Sequence, residues 1–156
     1  MENFIQNSNL LIDAVGKFPT FHDAEVLEIT LKRKDGAKSS PTLQTIIRIV
    51  RLIEQIKDEK VSLLHLKYDV DLTFTDICGL KLENFNHQNV LSDLYVSDFS
   101  DEYWNSIKDD PGMRDVVSQS ESDRLNYYVK FEYCYGIEAE FLCGSITANS
   151  VTQIAV

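Results

Sequence analysis

The sequence predicts an α+β fold: predominantly an antiparallel β-sheet meander, with a short N-terminal helix and a short helix in the 100–115 region. Three observations lead there. Within the stretch Leu63 to Phe99, Leu64, Leu66, Tyr68, Val70, Leu72 and Phe74 recur at every second position, with His65, Lys67, Asp69, Asp71 and Thr73 between them. Such alternation is the signature of a strand with one buried face. The C-terminal part repeats it, first as Leu125, Tyr127, Val129, Phe131 and Tyr133, then as Ile137, Ala139, Phe141 and Cys143. Apart from the ambiguous residues 42–57, helical signals are confined to two short runs, Leu10 to Val15 and Asp101 to Ile107.

The totals suit one domain spanning residues 1–156. The chain is 44% hydrophobic and 26% charged, ordinary for a globular protein. Its net charge is −10. A basic footprint supplies most nucleic-acid affinity, so nucleic acid is not expected as a partner, and anionic membrane surfaces are disfavoured for the same reason. An acidic molecule stays soluble and draws basic partners over long range. No run approaches the roughly 18 apolar residues of a membrane span, and Met1-Glu2-Asn3-Phe4 lacks the basic start of a signal peptide. Three cysteines, Cys78, Cys134 and Cys143, without a CxxC pair fit buried free thiols in a reducing compartment. The alternative is a Cys134–Cys143 bridge across a hairpin. A cytoplasmic protein is expected.

In chain order, residues 1–6 read as a loose start. Ser8 or Asn9 can cap a helix from Leu10 to Val15, with Gly16 to end it. After Pro19 and the segment Phe21 to Glu25 comes a strand with Leu27, Ile29 and Leu31 inward and Glu28, Thr30 and Lys32 outward. Residues 34–41 form a turn-rich loop. Residues 42–57 fit both a helix stripe and a strand. Their β-branched content favours strand to about residue 53, with a helical tail at Glu54 to Lys57 as the alternative. The alternating strand follows, then a break at Gly79, the polar turn Glu83 to Asn89, and a strand from Val90 to Phe99. Residues 98–123 hold eight acids against two bases, −6 of the total charge. They carry no sheet signal, and a loop of that length is where function concentrates. Gly136 turns one C-terminal strand into the next, and Gly144 breaks the second before Ile146 to Val151.

Chemistry-bearing patterns are few. His22, Asp23 and Glu25 form the one tight cluster of potential ligands. A metal site needs more side chains at ligand spacing, and these residues read better as closing a turn: Phe21 and Ala24 bury, and His22 and Asp23 spend their polar atoms locally. A small-ligand or metal-dependent domain built on them is the alternative functional reading. No phosphate-binding glycine loop and no nucleophile elbow occur, and none of His22, His65 and His87 lies in a triad-like pattern. The amides of Asn84, Asn86, Gln88 and Asn89 suit turn formation, because such side chains bond local backbone and tolerate left-handed φ. Tyr103 and Trp104 stand among the acids of residues 98–123, and aromatic residues in that setting are common interface anchors.

Two of these segments together resemble a known family. Phe18-Pro19-Thr20-Phe21-His22-Asp23-Ala24-Glu25-Val26 resembles the N-terminal signature of the immunity protein 50 family of bacterial polymorphic toxin systems. Phe85-Asn86-His87-Gln88-Asn89-Val90-Leu91-Ser92-Asp93-Leu94 resembles its middle motif, and Phe141-Leu142-Cys143-Gly144-Ser145-Ile146 its closing strand. The resemblance runs from about residue 10 to 151, with residues 98–123 as a long acidic insertion. It implies a non-enzymatic, cytoplasmic protein that neutralises a cognate toxin domain by binding it, a basic nuclease being one candidate. It implies no catalytic residue, no metal and no cofactor. Phe21, His22, Asp23, Phe85, Asn86, Gln88 and Asn89 then read as fold determinants. A surface fitted to one partner is expected to vary, so the acidic segment is the expected interface, with Asp98, Asp101, Glu102, Tyr103, Trp104, Asp109, Asp110 and Asp115 as its candidate contacts.

Overall fold

The computed structural model describes residues 1–33, 41–57, 60–99 and 124–155. The acidic segment and the short helix expected near 100–115 lie outside the described residues, apart from Asp98 and Phe99. The described chain is mostly β. It begins with a 3₁₀ turn, Glu2–Phe4, then β1 (Ile5–Gln6), α1 (Asn9–Val15), β2 (Glu25–Lys32), β3 (Thr42–Lys57), β4 (Lys60–Thr75) and β5 (Cys78–Glu83). It continues with β6 (Val90–Asp98), β7 (Tyr127–Tyr135), β8 (Glu138–Cys143) and β9 (Ser145–Ile154).

All nine strands join one sheet in the order β1-β9-β4-β3-β2-β6-β7-β8-β5. Only β2–β3–β4 and β6–β7–β8 run as meanders among the described strands. The pairs β4–β9, β2–β6 and β5–β8 join strands distant in sequence, and β1 pairs with β9 in parallel, so the sheet is mixed. The expected simple meander is thus corrected. Alternation marks strands but says nothing of which strand lies beside which. The loose start is corrected too: Ile5, 4% exposed, is a core residue held by the backbone of β9.

The helix is as short as expected. Its Ser8 cap makes no side-chain hydrogen bond, and Gly16 ends it at φ +85°, its N–H donating to the Ile12 carbonyl at 2.7 Å. Leu11 and Val15 are the residues it buries, with the helix lying against β9. Residues 42–57 are strand throughout, in register with β4 from Leu43↔Phe74 to Lys57↔Lys60. The helical alternative at Glu54 to Lys57 falls, because fifteen cross-strand pairings satisfy a backbone that a lone helical turn leaves open. In β2 a bulge between Val26 and Glu28 shifts the facing, so Val26 is buried and Leu27 only half-buried. Leu31, expected inward, is 56% exposed at the uncovered end of the strand.

The sheet curls over its own core. Phe74 of β4 stands 5.1 Å from Phe141 of β8 and 6.1 Å from Phe131 of β7, ring to ring, although β3, β2 and β6 separate β4 from β7 in the sheet. Facing strands meet across the inside of the curl. On one side the two limbs join through the single β2–β6 pairing Glu25↔Val90 and flanking bonds from Asp23 and Val26. On the other side the chain itself crosses between limbs, at Gly144 between β8 and β9. There the Gly144 N–H donates to the Thr75 carbonyl at 2.8 Å, and a Cβ would press on the Arg124 carbonyl. Burial of each large side chain on this inner face is worth about 1.5–3 kcal/mol.

Candidate functional site

The His22 cluster is the first place to look for chemistry. The residues just before β2 make a tight turn in which the Ala24 N–H donates to the Phe21 carbonyl and the Asp23 N–H to the Leu91 carbonyl. Asp23 adopts φ +59°, which a short polar side chain tolerates. Phe21 is fully buried and anchors the turn. His22 Nδ1 lies 2.9 Å from Asp23 Oδ2, with the side chains 67% and 73% exposed. Backbone closes this turn, where the sequence suggested that the two polar side chains would. Glu25 leaves the cluster along β2, opposite Arg48. The three residues do not converge, and among the described residues no group of three or more His, Cys, Asp and Glu could hold a metal. The small-ligand or metal reading finds no support in this geometry.

The Asn-rich turn between β5 and β6 is a closed hydrogen-bond knot. Asn89, 4% exposed, accepts from the Asn86 N–H at 2.9 Å through Oδ1 and donates to the Asn86 carbonyl at 2.7 Å. Asn86 Oδ1 accepts from the Gln88 N–H at 2.9 Å, and its amide donates to the Asn84 carbonyl at 3.0 Å. The Asn89 carbonyl in turn accepts from the Val26 N–H, which ties the knot to the seam between the limbs. Gly136, at φ +89°, packs so closely that a Cβ there would collide with the Gln88 carbonyl. The Asn86 and Asn89 amides are spent on backbone, while Asn84 and Gln88 take part through their own backbone atoms. Phe85 beside them is 47% exposed and lies outside the core. Asn84, Asn86 and His87 line an open groove of about 370 Å³ with Tyr133 and Tyr135. The groove is aromatic-walled.

None of the three cysteines forms a disulfide. Cys143 is buried, and burial, helped by Asp76, pushes its thiol up to about 12. That is the reverse of an activated nucleophile. Cys134, expected to be buried, is exposed, and the Cys134–Cys143 bridge does not form.

Of the expected interface residues, Asp98 is described: it is exposed at the end of β6, paired with Tyr127. Asp101, Glu102, Tyr103, Trp104, Asp109, Asp110 and Asp115 lie outside the described residues. The sequence reading missed a different surface. Paired residues of an antiparallel ribbon share a face, and the outward face of β3 and β4 changes character along its length. Near the core it is polar: Arg48 makes a two-point ion pair with Asp69 (2.7 and 2.9 Å), while Gln44 and Asn149 donate to Asp71. Beyond Arg48 it becomes aliphatic, with Val50, Leu52, Ile56, Val61 and Leu63 all exposed. The signal was present in the odd positions Val61 and Leu63, which interrupt the polar set of a strand whose even positions face the core.

No helix among the described residues is long and apolar enough to cross a membrane. No curated protein matches the chain, nor does any solved structure. A family model does match: that of Immunity protein 50, over residues 7–154. It takes in both turns built above, the buried Phe21 and the Asn knot, together with the closing strand through Gly144. On that span, the chain belongs to the Immunity protein 50 family.

Proposed function

We propose that this chain is a non-enzymatic immunity protein that binds a cognate toxin domain and so neutralises it, in the cytoplasm of the bacterium that makes the toxin. Family membership over residues 7–154 carries the reading. The charge supports it: at −10 the molecule speeds encounter with a basic partner such as a nuclease domain, and eight acids between residues 98 and 123 concentrate that field. The contacts proposed there are Asp98, Asp101, Glu102, Tyr103, Trp104, Asp109, Asp110 and Asp115, with Trp104 and Tyr103 as the anchors of a charged rim. Turns held by the Asn knot and Phe21 serve as scaffold.

Co-expression with the toxin reading frame beside the gene tests the reading. Rescue of growth and co-purification are expected, and failure of both would sink it. Reversing the charge of Asp101, Glu102, Asp109 and Asp110 together is expected to slow association about tenfold at low salt and to flatten its salt dependence. Unchanged kinetics would move the interface elsewhere.

A further inference from the structure

We propose that the outward face of the distal β3–β4 ribbon is a self-association surface, on which a second copy of this chain stacks about a two-fold axis. The ribbon begins where its neighbours stop. β2 pairs with β3 no further out than Arg48, and β9 pairs with β4 no further out than Lys67. Residues 51–57 and 60–66 therefore pair only with each other among the described strands. A lone two-stranded ribbon is marginal in water. Four rungs make its outward face: Val50 with Lys67, Leu52 with His65, Glu54 with Leu63, and Ile56 with Val61. Five of those eight side chains are aliphatic and stand in solvent, at 48% exposure for Val50, 56% for Leu52, 79% for Ile56, 65% for Val61 and 57% for Leu63. Contiguous exposed apolar surface on this scale marks an interaction site.

Charge identifies the occupant. From residue 49 to 67 the chain carries four bases and three acids, or +1, while the remaining eleven bases and twenty-two acids leave −11. Over most of its surface the molecule repels its own copy. The near-neutral ribbon is the part that does not, so it is where two copies can meet. The face is also self-complementary. A two-fold axis between the second and third rungs lays the tip rung Ile56–Val61 of each copy on the base rung Val50–Lys67 of the other. The same operation sets Glu54 of each copy diagonally beside His65 of the other. Four rungs span only about 20 Å, so the contact is small and the dimer weak, with a dissociation constant on the order of 10–100 μM.

Sedimentation velocity on the full chain, in reducing buffer so that the exposed Cys134 cannot cross-link, tests this directly. The expected result is a monomer–dimer equilibrium that tightens with added salt, as the repulsion between the acidic bodies is screened. Leu52→Asp is expected to weaken dimerisation at least tenfold. Leu31→Asp, at the same 56% exposure on another strand, is expected to leave it unchanged. Circular dichroism confirms that both variants are folded. A wild-type monomer up to about 1 mM would overturn the proposal, well above the affinity expected of so small an interface. Equal effects of the two substitutions would also overturn it. So would a Leu52→Asp variant that dimerises normally but no longer captures the toxin, which would assign the face to the toxin. Growth rescue by co-expression tests the immunity reading separately.

Discussion

The two halves of the β3–β4 hairpin share a backbone and a pattern but not a fate. In the half near the core, Leu43, Thr45, Ile47 and Ile49 and their partners Tyr68, Val70, Leu72 and Phe74 are all buried. Their outward neighbours carry the Arg48–Asp69 pair and the amide contacts to Asp71. Along the same strands, Arg51, Ile53, Leu64 and Leu66 are half-buried, and Gln55 and Ser62 are exposed. Burial fades because flanking strands and the opposite limb end, while the alternation goes on unchanged. A periodic sequence thus dictates strand. Whether the strand is covered depends on what else the chain places beside it.

The sharpest way to break the comparison is Phe74→Ala. Its ring meets Phe131 and Phe141, so a loss of about 3–5 kcal/mol is expected in urea unfolding. A loss under 1 kcal/mol would mean that the limbs do not close on each other. Next in size is a difference in hydrogen exchange. Amides of Arg51 to Ile56 are expected to exchange at least about tenfold faster than those of Leu43 to Ile49, because local opening of the ribbon exposes little core. If the difference narrows as protein concentration rises, a second copy is covering the ribbon. Leu52→Ala comes third, with an expected stability change within about 0.5 kcal/mol, since its side chain already faces solvent.

The smallest effect lies away from the hairpin. Glu140 accepts hydrogen bonds from Lys81 at 2.8 Å and Tyr128 at 3.1 Å. The Lys81 bond, opposed by partial burial and aided by Tyr128, holds its carboxyl below the ordinary value of 4.5. A depressed folded pKa means the contribution is fully present above the unfolded value and is lost as pH falls through the folded one. Glu140 is a third exposed, so screening keeps the effect small. The unfolding midpoint of the wild type is expected to fall a little more than that of Glu140→Gln between pH 5 and 3. Parallel curves would show that the bond contributes nothing.

Much of the scaffold was readable residue by residue. Phe21 and the amides of the Asn knot could be assigned to structure because short polar side chains bond their own backbone, and that is a local matter. The inward residues Tyr68 to Phe74 of β4, Val129 and Phe131 of β7, and Ala139 and Phe141 of β8 followed from the pleat alone, whereas Tyr133 is exposed and Leu142, on the other face of β8, is buried. The exposed apolar ribbon was less legible. Its outward aliphatics are ordinary strand formers, and they stand out only once the ends of β2 and β9 are known to stop short of them.

What the sequence determined by itself is therefore local: the strands other than β1 and β5, which replace an expected loose start and an expected break at Gly79, the helix closed at Gly16, the turn at Asn84 to Asn89, and the acidic charge. Each depends on backbone geometry and on side chains a few residues apart. Only the tertiary structure decided the rest. It brought β9 beside β4, set β1 parallel to β9, curled the limbs until Phe74 met Phe141, and left the ribbon without cover. Those outcomes depend on which distant surfaces fit together as water is excluded, and no short-range pattern encodes that choice.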